Sequence, residues 1–295
     1  MKKHLSPIVL FALALVLAGT AMAGQVPAGK VEGLAYDYFK EFPSDGNVVR
    51  AGKLFSMIGA GEAMFILDTR RPGDYGKNHL KGAVNLPFFD MSIPGNLERI
   101  PDDKPVLVYC YSGQTAAQVT VLLNIAGKKA RNVQSGFNDA IAKVDGYEVF
   151  LEQADRALPE GPYAVDADVK KALIAYFKDK MDLDGTPFAD FAVAPKTVKA
   201  IVDEKNDAYY ILSIRRPSDH ANGHIPMARN IAYGRGMEKR LVTLPRDKKI
   251  VVYCYSGQTS SQTIAVLRLM GYEAYSMTGG MTAWTKAGYP VSTDR

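Results

Sequence analysis

The sequence predicts an α/β protein built from two similar domains, each a mainly parallel open sheet with helices on both faces. Three observations lead to this prediction. A long segment of the chain occurs twice, and in each copy short apolar runs alternate with helical stretches. The apolar runs are hydrophobic almost throughout, as strands covered on both faces are. The length of 295 residues suits two domains of ordinary size.

The repeat is plainest around the two cysteines of the chain. The segment Val108–Thr115 reads VYCYSGQT, and the same letters recur at Val252–Thr259. A second block, Met64–Pro72, returns in altered form as Tyr209–Pro217. A period of this length indicates duplicated domains rather than a solenoid of short repeats.

Strands and helices are predicted in the same order in both copies. The predicted strands are Met64–Leu67, Val106–Tyr109, Tyr209–Leu212, Ile250–Tyr253 and the segment around Ala274–Ser276. The predicted helices that follow the cysteines are Ala116–Ala126 and Ser260–Met270. Ligands of open α/β sheets bind at the carboxyl ends of the strands, and both cysteines fall at that position.

The N terminus has the three-part pattern of a secretory signal peptide. Lys2 and Lys3 precede an apolar run, Ile8–Ala18, and the segment Ala21–Ala23 supplies small residues for cleavage. We expect cleavage after Ala23 and an exported protein, periplasmic or secreted. An uncleaved membrane anchor is the alternative, but the run is shorter than the roughly 20 residues that a span requires. The predicted organisation is a signal peptide at 1–23, a first domain at 24–158, a linker at 159–165 and a second domain at 166–295.

Composition narrows the range of partners. Lys and Arg total 36 against 31 Asp and Glu, and this small, scattered excess argues against a nucleic-acid partner. No later stretch is apolar enough to predict a membrane span. Two cysteines and the three histidines left after signal removal argue against a metal centre. The sequence does not distinguish a monomer from a dimer.

The cysteine loops are the candidate reactive sites. Each cysteine ends a predicted strand and precedes a glycine-containing loop and a helix, whose N–H groups and dipole are expected to lower the thiol pKa. Cys110 and Cys254 are therefore candidate catalytic nucleophiles. Thr115 and Thr259 are expected to cap the helices and to offer a hydroxyl to a bound anion. The residues predicted to line the substrate-binding loops are Tyr111, Ser112, Gly113, Gln114 and Thr115 in the first copy and Tyr255, Ser256, Gly257, Gln258 and Thr259 in the second.

Two alternatives for the cysteines are a buried small hydrophobe and a disulfide between them. Because both cysteines occupy the same place in the same loop, a reactive role is favoured over burial alone. A disulfide would require loops of separate domains to face each other at contact distance.

Taken together, these features resemble a tandem rhodanese-domain protein of the sulfurtransferase family. The resemblance rests on the Cys-x-x-Gly-x-Thr loops and on Thr278–Met281 with Trp284 and Gly288–Val291, and it covers nearly the whole mature chain. It implies that a thiolate takes sulfane sulfur from thiosulfate or from a polysulfide or persulfide donor. The cysteine persulfide then passes the sulfur to an acceptor, a small sulfur anion or a protein thiol. No cofactor is implied beyond the covalent persulfide. The resemblance also implies that His79 and His224 belong to a structural turn.

The loops depart from the family pattern in carrying no charge, whereas many thiosulfate-using members have Arg or Lys there. Candidate anion-binding residues outside the loops are Arg70, Arg71, Arg215 and Arg216, with a surface ion pair as the alternative reading. The first copy has Ser135–Phe137 where the second has Gly279–Met281. Retention of both cysteines favours two working sites.

Two rival functions are considered. A cysteine phosphatase with this loop would need an arginine six positions after the cysteine, but Ala116 and Ser260 stand there. A binding, sulfur-carrier or sensing module without free turnover remains open, since Tyr111 and Tyr255 beside the cysteines would suit a protein contact.

Overall fold

The computed structural model describes residues 29–293. The predicted signal peptide, 1–23, lies outside these residues. Each half of the chain forms a five-stranded sheet whose neighbouring strands are all parallel, with helices on both faces. The predicted α/β class with two similar units is therefore confirmed.

The first half contains the sheet β1-β6-β5-β2-β4 and a small antiparallel pair, β3 with β7. Its strands are β1 (Val48–Val49), β2 (Phe65–Asp68), β3 (His79–Leu80), β4 (Ala83–Asn85), β5 (Pro105–Tyr109), β6 (Lys129–Val133) and β7 (Leu151–Glu152). Its helices are α1 (Lys30–Asp37), α2 (Ala51–Gly59), α3 (Pro72–Lys77), α4 (Gln114–Ile125) and α5 (Gly136–Asp139). A 3₁₀ turn at Phe88–Ser92 lies near the site described below.

The second half contains the sheet β10-β9-β11-β12-β8. Its strands are β8 (Ala192–Val193), β9 (Tyr209–Ser213), β10 (Arg229–Asn230), β11 (Lys249–Tyr253) and β12 (Ala274–Met277). Its helices are α6 (Ala167–Asp182), α7 (Pro195–Asp203), α8 (Pro217–Ala221), α9 (Glu238–Leu241), α10 (Gln258–Leu269) and α11 (Gly280–Lys286). A 3₁₀ turn at Ala189–Phe191 precedes β8.

The predicted strands and helices are confirmed to within two residues at their ends. Strands β5 and β11 lie between two parallel neighbours each, and their last four residues are buried. This burial explains why the two strands read as continuous apolar runs. Because each cysteine follows its strand directly, both sulfurs lie at the carboxyl edge of a central strand.

The helix that opens each half packs on the other half. Tyr176 of α6 donates a hydrogen bond to Gln118 of α4 at 2.9 Å. Tyr38, directly after α1, donates to Gln262 of α10 at 3.3 Å. One hydrophobic cluster accordingly runs through both halves. We call α1 together with the residues up to Phe42, and α6, the exchanged helices, because each bonds to the helix that follows the other half's cysteine loop.

The segment between the two halves, residues 153–166, holds neither helix nor strand and includes the predicted linker. The domain limits themselves stay a prediction. Within residues 29–293, no helix has both the length and the hydropathy that crossing a membrane requires.

Candidate active site

Each cysteine sulfur accepts hydrogen bonds from backbone amides of the loop that follows it, and we call this arrangement the cradle. Cys110 and Cys254 are free thiols and both are buried. The Gly113 amide donates to Cys110 Sγ at 3.2 Å, and the Ala116 amide does so at 3.4 Å. The Gly257 amide donates to Cys254 Sγ at 3.1 Å. Donors of this kind favour negative charge on sulfur, as the sequence predicted.

Glycine, not threonine, begins the helix that follows each cysteine. Gly113 and Gly257 occupy the N-cap position with φ of +81° and +92°, and neither helix has a side-chain cap. This left-handed conformation is the one that glycine adopts without strain, and the amide nitrogens of both glycines bond to sulfur. The predicted capping by Thr115 and Thr259 is therefore wrong, because both threonines lie one residue inside the helix.

The predicted low thiol pKa is also wrong for Cys110. Burial raises the pKa of the Cys110 thiol above its ordinary value, although hydrogen bonds from the backbone amides of Ala116, Ser112, Gly113 and Thr115 act in the opposite direction. Desolvation outweighs the amides because the sulfur is enclosed by its loop and by the surrounding core.

In each half, a second loop donates a hydrogen bond to the backbone carbonyl of the cysteine. The Phe137 amide donates to Cys110 O and the Met281 amide to Cys254 O, both at 2.8 Å. A Cβ atom on Gly136 would lie 2.5 Å from Cys110 O, and one on Gly280 would lie 2.6 Å from Cys254 O. Only glycine fits this approach, so the Ser-Gly and Gly-Gly segments noted in the sequence support the cysteine loops from behind.

The loop tyrosines tie each cradle to the helix after the neighbouring strand. Tyr111 donates to Asp74 Oδ2 at 2.6 Å and accepts from the Arg71 amide at 3.1 Å. Tyr255 accepts from the Arg216 amide at 3.3 Å. The Tyr255 side chain is still 41% exposed, so the expected protein contact there stays a prediction.

The remaining loop residues bring the two halves together. The Ser135 amide, which lies just before α5, donates to Gln258 Oε1 at 3.1 Å. Gln114 donates to Ser112 Oγ at 3.3 Å. Its side chain also lies so close to Gly257 that a Cβ atom there would collide with it. Ser256 is exposed beside this contact.

Two of the four candidate arginines have structural roles. Arg70 is buried and forms a bidentate ion pair with Asp68, whose oxygen lies 2.7 Å from the guanidinium. Arg215, also buried, donates to Gly223 O at 2.7 Å and to Asp219 O at 2.8 Å. For these two residues the ion-pair and packing alternative describes the geometry, and the expected anion binding does not.

The other two arginines are exposed. Arg71 lines a cavity of about 460 Å³ that reaches Cys110, together with Thr115 and Tyr111. Arg216 donates from Nε to Asp219 Oδ2 at 3.0 Å and lies beside Tyr255. Anion binding by Arg71 and Arg216 stays a prediction.

The two family histidines bond to backbone. His79 Nδ1 lies 2.9 Å from Tyr75 O, and His224 Nδ1 lies 2.9 Å from His220 O. Both rings are buried, which agrees with the structural role expected for them.

One residue of the first site was missed by the sequence reasoning. Lys180 of α6 lines the Cys110 cavity, although it belongs to the second half. Its side chain is 1% exposed, and Nζ lies 3.1 Å from Asp190 Oδ1. Burial lowers the pKa of Lys180 to about 8, against the opposing effects of Asp190 and Cys110. A signal was available, because Lys180 continues the apolar stripe of α6 formed by Val169, Leu173, Tyr176 and Phe177.

Aromatic side chains from both halves of the chain pack together near the second site. Phe42, after α1, packs on Tyr233 with ring centroids 5.3 Å apart. Burial, followed by Tyr38 and Cys254, raises the pKa of the Tyr233 phenol well above its ordinary value. Ser260 Oγ lies 3.5 Å from Cys254 Sγ, where the first site has Ala116.

Comparison with known proteins agrees with this architecture. The family model "Rhodanese-like domain" matches residues 51–143 and 194–287. A sulfurtransferase of Allochromatium vinosum is 34% identical over 82 residues, which are 28% of this chain and 76% of the relative. The thiosulfate sulfurtransferase GlpE of Pseudoalteromonas translucida is 37% identical over 91 residues, 29% of this chain and 80% of the relative.

A solved structure described as a probable thiosulfate sulfurtransferase is 19% identical to this chain. It aligns over 78% of this chain and 98% of its own length with a TM-score of 0.34, a likeness too distant to bear on function. The family match and the relatives named as sulfurtransferases support a rhodanese-family enzyme. With both matched segments carrying the cysteine cradle, the chain belongs to the rhodanese family and has two rhodanese-like domains in tandem.

Proposed function

We propose that this protein is a sulfurtransferase that carries sulfane sulfur as a persulfide on Cys110 and on Cys254. The donor is thiosulfate or a polysulfide or persulfide, and the acceptor is a small sulfur anion or a protein thiol. The observation that supports this proposal most is the pair of cradles, in which backbone amides point at a lone buried sulfur from 3.1 to 3.4 Å.

The proposed first step is a displacement at the outer sulfur of the donor. The cysteine thiol loses its proton to solvent, and the thiolate forms a new S–S bond with that sulfur. The donor's own S–S bond breaks, and its electron pair leaves on sulfite when the donor is thiosulfate. The amides of Gly113 and Ala116, and that of Gly257 in the second site, are placed to stabilise negative charge on the thiolate and on the persulfide.

The proposed second step returns the enzyme to its starting state. A nucleophilic acceptor, such as cyanide or a thiolate, attacks the outer sulfur of the persulfide. The S–S bond to the enzyme breaks and its electron pair remains on the cysteine. The same backbone donors are proposed to stabilise negative charge on the cysteine sulfur in both steps.

The state of the thiol limits the first step in the first site. Because burial raises the pKa of Cys110, only a small fraction of this thiol is ionised at neutral pH. The rate at Cys110 is therefore expected to increase with pH as the thiolate fraction increases.

The test is sulfur transfer to cyanide by single-cysteine proteins. Cys254→Ser leaves the first site alone, Cys110→Ser leaves the second, and the doubly substituted protein is the control. We expect turnover with thiosulfate or polysulfide in both single variants and none in the control. Turnover that persists in the control would contradict the proposal, and its absence from the wild type with every donor would favour a sulfur-carrier or sensing module.

We also propose that the protein is exported, because its first 23 residues follow the signal-peptide pattern. N-terminal sequencing of the protein from its native cell tests this, and a sequence beginning at Gly24 is expected. A mature protein that retains Lys2 and Lys3 would contradict export by cleavage.

A further inference from the structure

The wall of the Cys110 cavity contains a buried ammonium group from the other half of the chain. Lys180 Nζ lies 3.3 Å from the centroid of the Phe88 ring and 3.1 Å from Asp190 Oδ1. The same cavity is lined by Cys110, Thr115 and Lys180 itself, so cation and nucleophile face one space of about 460 Å³.

This ammonium is only partly neutralised by its neighbours. An ammonium group has three N–H donors, and Asp190 is the carboxylate that pairs with it. Asp190 is itself 58% exposed, so its charge is shared with solvent. Phe88 contributes the face of its ring, which attracts a cation but accepts no conventional hydrogen bond. The cavity therefore receives positive potential in a place where burial weakens screening.

The fold does not need a cation at this position. The two exchanged helices make matching contacts: Phe177 packs on Phe88 at 4.8 Å, and Phe39 packs on Tyr233 at 5.6 Å. Lys180 follows Phe177 by three positions, as Phe42 follows Phe39. At the second site the equivalent residue is thus an aromatic side chain packed into the core.

Burying an ammonium is costly where an apolar residue would fit, so a structural role alone does not explain Lys180. An anionic ligand in the cavity would explain it, because the ligand would supply the missing partner. The cysteine loop itself supplies no side chain of opposite charge to pair with Lys180, since the residues between Cys110 and Ala116 are all uncharged.

We propose that Lys180, which the second half of the same chain supplies, binds the negatively charged end of the sulfur donor at Cys110. This contact makes the first site selective for anionic donors of the thiosulfate class. The identity of the donor rests on the proposed function, whereas the binding of an anion next to Cys110 does not. The exchanged helix α6 thereby makes the first site a product of both domains.

The test compares two alkylating reagents that differ in charge. Iodoacetate is an anion and iodoacetamide is neutral, and both react with the thiolate. In the Cys254→Ser protein, the ratio of their rate constants at Cys110 therefore reports the local charge and cancels the ionisation of the thiol. We expect Lys180→Met and Lys180→Gln to lower this ratio by about tenfold, the effect of roughly one pKa unit of interaction. Lys180→Arg should keep most of the wild-type ratio.

The control is Lys178→Met, which removes an exposed ammonium from the same helix and should leave the ratio unchanged. The glutamine variant keeps a hydrogen-bonding partner for Asp190, so the test survives if the methionine variant folds poorly. An unchanged ratio in both Lys180 variants would overturn the inference.

A second readout is steady-state transfer from thiosulfate. In the Cys254→Ser protein, Lys180→Met should raise the KM for thiosulfate by about tenfold with a smaller change in kcat, because the lost contact is to the donor's charge. If the alkylation ratio falls while no protein forms a persulfide, the binding of an anion next to Cys110 stands, and the proposed function fails together with the identity of the donor. If the ratio is unchanged in an active enzyme, the proposed function stands and the inference fails.

Discussion

The two cysteine sites of this protein share their main-chain geometry and differ at one position that the exchanged helices contribute. In both, a glycine amide donates to Sγ and a neighbouring loop binds the cysteine carbonyl at 2.8 Å. Lys180 lines the cavity at Cys110, and the position that corresponds to it in the other exchanged helix is Phe42, which packs on Tyr233. The comparison separates a backbone arrangement that the two sites share from a side chain, lysine or phenylalanine, that they do not share.

A smaller difference lies within the cradle itself. Ala116 gives its amide to Cys110, whereas Ser260 adds a hydroxyl 3.5 Å from Cys254. That hydroxyl is also 2.8 Å from Ser276 Oγ and so is held in place by β12. The second site thus has a side-chain donor where the first has only backbone.

The largest expected effect tests the shared part of the comparison. Gly136→Ala and Gly280→Ala would each drive a Cβ atom into the carbonyl of the adjacent cysteine, and both positions have positive φ. Each substitution should lower the free energy of unfolding by roughly 1–3 kcal/mol, the range for such backbone strain. Calorimetry should show a lower Tm, and the alkylation rate at the affected cysteine should change most.

The matched control is Gly52→Ala in α2, where no heavy atom lies within 4 Å of the added Cβ. This variant should be as stable as the wild type or slightly more stable, since alanine restricts the unfolded chain. If Gly136→Ala or Gly280→Ala behaved like this control, the two cradles would not depend on the close approach described here.

Features that depend on local sequence could be predicted, and features that depend on docking could not. The strands, the helices and the position of Cys110 and Cys254 follow from apolar runs and from an internal repeat, which are visible within a few residues. The pKa of Cys110 was predicted with the wrong sign because its burial depends on the packing of the whole half. Thr115 was predicted to cap the helix because the sequence alone does not show that Gly113 adopts the left-handed conformation and begins the helix.

The position of Lys180 next to Cys110 is another feature that the sequence alone could not predict. It is separated from Cys110 by 70 residues and lies outside the family match that contains Cys110, so only the docking of α6 brings the two into one cavity. The local signal was a lysine on an apolar helical stripe, which indicates burial but does not name the partner.

The next effect concerns pH and applies to the first site. Burial lowers the pKa of Lys180 to about 8, so its ammonium is charged below this pH and neutral above it. The ratio of iodoacetate to iodoacetamide rates at Cys110 should therefore fall by about fivefold between about pH 7 and 9, given a tenfold effect of the full charge. A ratio that stays level across this range would contradict a titrating cation in the cavity.

Other groups around the cavity do not explain such a fall. Asp190 pairs with Lys180, and Arg71, Asp74 and Tyr111 line the same space. The ordinary pKa values of carboxyl and guanidinium groups lie outside this range. The hydrogen bond from Tyr111 lowers the pKa of Asp74 further. Burial raises the pKa of the Tyr111 phenol, so this group stays neutral. The same series in Lys180→Met should show no such fall.

The smallest expected effect transfers the cation to the second site. Phe42→Lys in the Cys110→Ser protein should raise the ratio of iodoacetate to iodoacetamide rates at Cys254 by about threefold, less than the loss at the first site because no carboxylate corresponding to Asp190 is provided. Phe42→Met is the control for lost aromatic packing against Tyr233. If the ratio in Phe42→Lys were no higher than in this control, the residue at this position would not determine the preference of the site for a charged reagent.

The most direct test of the central claim is the intact mass of each single-cysteine protein after exposure to a sulfur donor. We predict that Cys254→Ser gains the mass of one sulfur atom with thiosulfate and that both single variants gain it with polysulfide, with the gain removed by cyanide. If neither cysteine gains sulfur from either donor, the cradles do not carry a persulfide, and the account of this protein as a sulfurtransferase is contradicted.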